Sequence, residues 1–314
     1  MTIVNEAAHY LTGEACRDFA GLALATKFGR VTSIGAPPLA DALAAQPRAL
    51  IVTIYGLYAR EAGGWLSIAG LIRLMAELDI DEAAVRSAIS RLKQRGLLEP
   101  RRERGAAGYG LSAHGSAILA EGDRRIFERP RASSADGWLI AIFSVPEDQR
   151  AKRHALRSRL AWLGFGSVAA GVWIAPGQLS AETRDILASD GLSGYVSLFT
   201  ADYLAFGPVR DHVSQWWDLD RLEQLYQAFI DSAGPVLARW ESGLAHDPGE
   251  AFADYVRVLT AWRRLPFLDP GLPPDLLPAD WHGSRAAALF SRLSELLGEP
   301  ARDHALAVTG FSPS

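Results

Sequence analysis

Between Arg86 and Arg104 the sequence places seven cations, Arg86, Arg91, Lys93, Arg95, Arg101, Arg102 and Arg104, against two acids, Glu99 and Glu103. That local excess of five positive charges sits in a chain whose formal net charge is −4. Such a cluster either solvates a surface or meets a polyanion. Duplex DNA demands two kinds of side chain: cations for phosphates, and short polar groups that reach base edges. Ser87, Ser90, Arg91 and Gln94 are of the second kind, and Arg101, Arg102 and Arg104 of the first.

The elements around the cluster must hold it. Asp81 suits a helix N-cap, with Glu82 in the first turn, where the helix end is positive. Val85, Ile89 and Leu92 follow at helical spacing and define a core face. At about 100° per residue, Ser87, Ser90, Arg91 and Gln94 point roughly away from that face, with Arg86 and Lys93 flanking them. Gly96 stops the helix. "LLEPRR" and "GYGLS" read as two short strands, and "ERGAAG" as the loop between them. Upstream, Pro47 opens a helix carrying Leu50, Ile51, Ile54, Tyr55 and Tyr58, which Gly63-Gly64 ends. Ser67 caps a second helix with Ile68, Leu71, Ile72 and Met75. Helices followed by a β-hairpin make the winged helix-turn-helix order.

Elsewhere the candidate chemistry is thinner. Trp216, Trp217, Tyr226, Trp240, Tyr255 and Trp262 could line a ligand cavity, although aromatic residues at this density more often form core. Arg263-Arg264 could take an anionic ligand or be a surface pair beside a helix C-terminus. His246, His282 and His304 are scattered and lack metal-ligand spacing. A nucleophilic Cys16 would need a base beside it, and His9 is seven residues away. No phosphate-binding glycine loop, nucleophile elbow or paired-carboxylate signature is present. We therefore expect no enzyme, no catalytic residue, no cofactor and no metal.

At 314 residues, the chain should divide into two or three domains. Hydrophobic residues make up 49% and charged residues 22%, the balance of a folded globular protein. The apolar run at "WLIAIF" is far shorter than the roughly 20 residues that span a membrane. No secretory signal is visible at the N-terminus, and a single cysteine fits a reducing, cytoplasmic setting. Residues 1–45 read as a helical N-terminal extension, stopped near Pro37 and Pro38. Residues 46–130 hold the winged helix. Residues 131–214 alternate as strand "WLIAIFSV", helix "DQRAKRHALRSRLAWLG", strands "FGSVAAG" and "VWIAP", helix "SAETRDILASDG" and strand "GYVSLFTADYL". That βαββαβ order is ferredoxin-like, giving an α+β class overall. Residues 215–314 turn helical, through "WWDLDRLEQLYQAFIDSAGPVLARWESGL", "GEAFADYVRVLTAWRRL" and "SRAAALFSRLSELLG".

With "ALIVTIYGLY", the "WLSIAGLIRL" and "DEAAVRSAISRLKQRGLLEPRRERGAAGYGLS" stretches, "DGWLIAIFSV" and above all "WRRLPFLDPGLPPDLLPADWHG", the chain resembles the PaaX family of bacterial transcriptional repressors after about Pro47. The resemblance implies a winged helix, a ferredoxin-like domain similar to Cas2 proteins, and a helical C-terminal domain for effector binding and dimerisation. It implies a homodimer on operator DNA that represses phenylacetate catabolism genes. An aromatic acyl-CoA such as phenylacetyl-CoA would release it, with Tyr255, Trp262, Arg263 and Arg264 as effector residues. The Cas2 likeness also raises a rival reading, a metal-dependent nuclease. Such an enzyme would place an acid at the end of the first central strand, where this sequence has Phe143 and Ser144. Asp136 precedes that strand, and Glu147 and Asp148 open the next helix.

Overall fold

The computed structural model describes residues 46–128, 131–204, 206–243 and 247–310. The readings made for residues 1–45, including Cys16 and His9, lie outside the described residues, as does His246. Two compact units emerge from the packing. One gathers the described residues of 46–128, 223–263 and 282–310, and the other those of 131–222 and 264–281.

In the first unit, α1 (Pro47–Ile54) starts on Pro47, whose missing N–H costs nothing at a helix start. It widens into a π-turn at Tyr55–Ala59 and tightens into a 3₁₀ turn before Gly63, at φ 82°. A strand that the sequence did not announce follows, β1 (Trp65–Ser67). Ser67 then caps α2 (Ile68–Ala76) by accepting from the Gly70 N–H. Next come α3 (Glu82–Gln94), β2 (Leu98–Glu103), β3 (Ala106–Leu111) and α4 (Ala113–Asp123). The three strands form one antiparallel sheet in the order β1-β3-β2.

The same unit contains α9 (Pro248–Trp262) and α11 (His282–Thr309), which pack on each other; α9 also packs on α1, and α11 on α2. Trp262 lies at the centre, 1% exposed and stacked on Phe290 at 4.7 Å between ring centroids. The sequence suggests that the last helix stops at Gly298, before Pro300. Instead α11 continues through Pro300 to Thr309. Ala301 and Ala305 are buried beyond the proline, and Arg302 and His304 pair with Glu61 and Glu77. These tertiary contacts outweigh the local cost of a proline inside a helix.

The second unit is a four-stranded antiparallel sheet of β4 (Trp138–Phe143), β5 (Gly166–Ala169), β6 (Val172–Pro176) and β7 (Val196–Ala201), ordered β5-β6-β4-β7. Helices α5 (Arg150–Trp162) and α6 (Ser180–Ser189) complete the ferredoxin-like βαββαβ. Leu156, Leu160 and Leu187 carry their buried side. A buried ion pair joins α5 to the end of α6, with Arg159 Nε 2.6 Å from Asp190. The run "WWDLDRLEQ" breaks where a single helix is expected: α7 (Arg210–Trp216) is capped by Trp217, and α8 (Leu219–Glu241) follows, its residues from Glu223 onward counted in the first unit. Trp217 Nε1 donates to Gly164 O at 2.9 Å, and Asp218 accepts from the Arg221 N–H, so the indole anchor and a new cap interrupt the helix. The segment after Arg263 belongs to this unit. There α10 (Leu265–Leu268) sets Phe267 against Trp162 at 5.6 Å, and Asp269 pairs with Arg131.

Candidate nucleic-acid interface

Helix α3 begins and ends on specific side-chain and backbone bonds. Asp81 accepts from the Ala84 N–H at 2.8 Å, worth about 1 kcal/mol as an N-cap. At the other end the Gly96 N–H donates to Lys93 O and the Leu97 N–H to Leu92 O, with Gly96 at φ 69°. These two bonds are a Schellman stop, which favours glycine because the left-handed conformation penalises a Cβ. Val85, Ala88, Ile89 and Leu92 are all buried. Burying each of the three branched side chains contributes about 1.5–3 kcal/mol. The face opposite is free of core duty.

On that outward side Arg86, Ser87, Ser90, Arg91, Lys93 and Gln94 are all exposed. Arg86 is paired with Glu82 at 2.6 Å, an exposed pair one turn apart that a phosphate can displace at little cost. Arg91 and Lys93 make no ion pair among the described residues. The helix therefore presents serine hydroxyls, an amide and cations together.

The wing is tighter than the sequence suggests. Where a six-residue loop "ERGAAG" is expected, β2 and β3 run up to a two-residue turn, and Glu103 faces Ala106. Arg104 and Gly105 occupy that turn at φ 50° and 79°, the signs of a type I′ hairpin, whose twist matches the strands. Arg104 is thereby placed at the exposed tip, and Arg102 is exposed beside it, donating to Gly105 O. Arg101 differs from both. Its guanidinium lies over Gly110, donates to Gly63 O at 3.0 Å and pairs with Glu103 at 2.6 Å. It braces the wing, whereas Arg102 and Arg104 are exposed.

Tyr55 and Trp65 hold the wing in place, and the sequence did not single them out for this. Tyr55 Oη donates to Tyr109 O at 2.9 Å, and Trp65 Nε1 donates to Arg101 O at 3.0 Å. The available signal was the alternation "GYG": a Cβ on Gly108 would stand 2.2 Å from Leu66 O and 2.7 Å from the Trp65 ring. Glycine there lets the indole pass beneath β3.

The residues suggested for an effector fall in both units. Tyr255, Trp262 and Arg263 are buried in the helical part of the first unit, while Arg264 falls in the second. Trp262 donates from Nε1 to Ile126 O, and its ring contacts Phe229 as well as Phe290. Arg263 is not the surface residue that its position suggests, for it is 8% exposed and donates to Ala49 O. Burial also lowers the Arg264 guanidinium from its ordinary value. His282 and His304 are likewise structural, paired with Glu223 and Glu77.

Two of the acids that a nuclease reading would recruit have structural work. Asp136 accepts from the Ser133 N–H in a capping box, and Glu147 pairs with Arg153. β4 ends at Phe143 and Ser144 follows it, so neither position offers the carboxylate that would anchor a divalent cation there.

Three family models match the chain in sequence. They are described as "PaaX-like protein" over residues 46–115, "PaaX protein central Cas2-like domain" over 131–213 and "PaaX-like protein C-terminal domain" over 217–307. The chain belongs to the PaaX family. It is similar to the transcriptional repressor PaaX of Escherichia coli strain K12, with 27% identity over 244 residues, spanning 76% of this chain and 77% of that protein. Among solved structures it is similar to the uncharacterized protein Rv0674 from Mycobacterium tuberculosis, at 26% identity and a TM-score of 0.53, covering 83% of this chain and 99% of that one. The PaaX assignment makes the chain a DNA-binding transcriptional repressor and not an enzyme. Among the described residues, no helix is long and apolar enough to cross a membrane.

Proposed function

We propose that this PaaX-family repressor lays α3 in the major groove, with Ser87, Ser90, Arg91 and Gln94 facing base edges. Arg86 and Lys93 reach the flanking phosphates, and Arg102 and Arg104 grip the backbone beside the wing. Arg101 shapes the wing that presents them. The observation that carries this reading is the exposed polar and cationic side of α3, whose opposite side is wholly committed to core. A bidentate arginine–guanine contact is worth about 1–3 kcal/mol of discrimination, whereas each phosphate contact adds affinity without sequence information.

The repressor acts as a cytoplasmic homodimer on genes for aromatic-acid catabolism, phenylacetate above all, and an aromatic acyl-CoA such as phenylacetyl-CoA releases it. Release needs more than affinity. The ligand must favour the form not bound to DNA, by about 2.7 kcal/mol for a hundredfold change. Linkage then requires operator DNA to weaken acyl-CoA binding by the same factor.

The test is fluorescence anisotropy of the full chain on duplexes from its own upstream DNA, with phenylacetyl-CoA or phenylacetate added. Tight binding that phenylacetyl-CoA reverses and phenylacetate does not is the expected result. Binding that neither compound changes would remove the release mechanism and leave the DNA reading intact.

A further inference from the structure

The ferredoxin-like unit contains a cavity of about 450 Å³, a size suited to a small ligand. Phe143 and Trp173 form its apolar walls. They share one face of the sheet, since Trp173 pairs with Ala141, two residues before Phe143. Ser144 and Ser167 add hydroxyls. Across from them α5 contributes Arg153 and Arg157, one helical turn apart.

The two guanidiniums are not equivalent. Arg153 is held in place, donating to Val145 O at 2.7 Å and pairing with Glu147 at 2.9 Å. Arg157 is exposed at the cavity and makes no ion pair or hydrogen bond among the described residues. Helix α5 carries Arg150, Lys152, Arg153, Arg157 and Arg159 with no acid, and Asp190 neutralises Arg159. The cavity thus combines aromatic walls with an uncompensated cation. Its rim is also fixed: the Phe143 N–H donates to Gly171 O, and a Cβ on Gly171 would stand 2.6 Å from Phe143 O.

We propose that this cavity binds a ligand joining an aromatic or flat apolar group to an anionic group. The ring lies between Phe143 and Trp173, and Arg157 holds the anion with Arg153 beside it. Guanidinium pairs with carboxylate or phosphate through two parallel hydrogen bonds, and aromatic walls favour a flat ring. A metal ion is disfavoured there by the same two cations. Extended to the acyl-CoA effector, the assignment rests on the release reading above, and it moves that effector from Trp262 and Arg263 to the sheet. An acyl-CoA and a free aryl acid share the required chemistry, so both are probes.

Calorimetry of the full chain with phenylacetyl-CoA, CoA and phenylacetate tests it, using wild type, Arg157→Glu and Ser167→Trp. The first variant reverses the charge of an exposed side chain, and the second fills the cavity without altering charge. Each should weaken the bound probe by about tenfold or more while operator affinity stays at the wild-type level. Tighter binding of phenylacetyl-CoA than of either fragment assigns the site to the thioester; equal binding of phenylacetate assigns it to the aryl acid. If both variants bind like wild type, the proposal is overturned and the release reading survives. If both lose the probe but wild type is not released from DNA, the site stands and the release reading falls. Wild type that binds none of the three probes overturns the proposal, as does Arg157→Glu weakening operator binding and leaving probe affinity unchanged.

Discussion

Thr53 on α1 and Thr260 on α9 place their hydroxyl oxygens 2.7 Å apart in a fully buried hydrogen bond, 207 residues apart in sequence. Thr53 also donates to Ala49 O at 3.1 Å, which leaves Thr260 as donor between the two hydroxyls. Thr53→Val strands the Thr260 hydroxyl in apolar surroundings, at a cost of about 1–3 kcal/mol. Thr260→Val should cost less, because the Thr53 hydroxyl keeps its bond to Ala49. The double valine variant should recover much of the loss. Urea denaturation of the three variants checks the order, and equal, additive losses would contradict it.

Gly108→Ala should damage the wing without touching a cation. The added methyl meets Leu66 O and the Trp65 ring, so β1 or the indole must shift, at about 1–3 kcal/mol. Operator affinity should fall along with thermal stability. A variant that keeps both would show that the packing of Trp65 under β3 does not set the wing.

Stability should decline in alkali. Burial raises the Tyr55 and Tyr58 phenols well above their ordinary 10.0, with neighbouring Tyr109 and Tyr255 adding to the effect. Arg101 opposes it at Tyr55. The folded chain keeps protons that the unfolded chain releases near pH 10, so their stabilisation is complete below that pH and lost as pH rises above it. Each phenol contributes up to about 1.4 kcal/mol per pH unit in that window. Tyr58 Oη has no hydrogen-bond partner among the described residues, so Tyr58→Phe should be nearly neutral at pH 7 and should reduce the alkaline decline. Denaturation midpoints at about pH 8 and 11 measure this; a decline that the variant does not reduce would count against Tyr58 as a contributor.

The third helix was legible because its signals are local: an acidic cap, an apolar stripe and a terminal glycine fall within 16 residues, Asp81 to Gly96. The βαββαβ succession of elements in the ferredoxin-like unit followed from the same local logic. What was hidden depends on partners distant in sequence. Strand β1 is only three residues and forms because β3 pairs with it. Pro300 stays helical because Glu61 and Glu77 receive the residues beyond it. Arg263 looks like a surface cation until Ala49 O claims it. The cavity beside Phe143 escaped for a different reason: "RAKRHALRSR" reads as a solvated helix face, and only the sheet register puts Trp173 on the same face as Phe143, in the cavity that Arg157 also lines.

The most direct test of the DNA reading separates base contacts from phosphate contacts on one protein. Affinity is measured against salt, on the preferred duplex and its single-base variants, for wild type, Arg91→Ala and the double variant Arg102→Ala, Arg104→Asn. Asparagine keeps the left-handed conformation that the turn requires at position 104. Arg91→Ala should lose roughly 1–3 kcal/mol of discrimination at one base pair and keep the salt slope of wild type. The wing variant should keep every base preference and flatten the slope of log K against log salt by about 1.8, or 0.9 for each phosphate lost. Unchanged base preference in Arg91→Ala together with an unchanged slope in the wing variant would contradict the assignment of α3 and the wing as the DNA-binding surface.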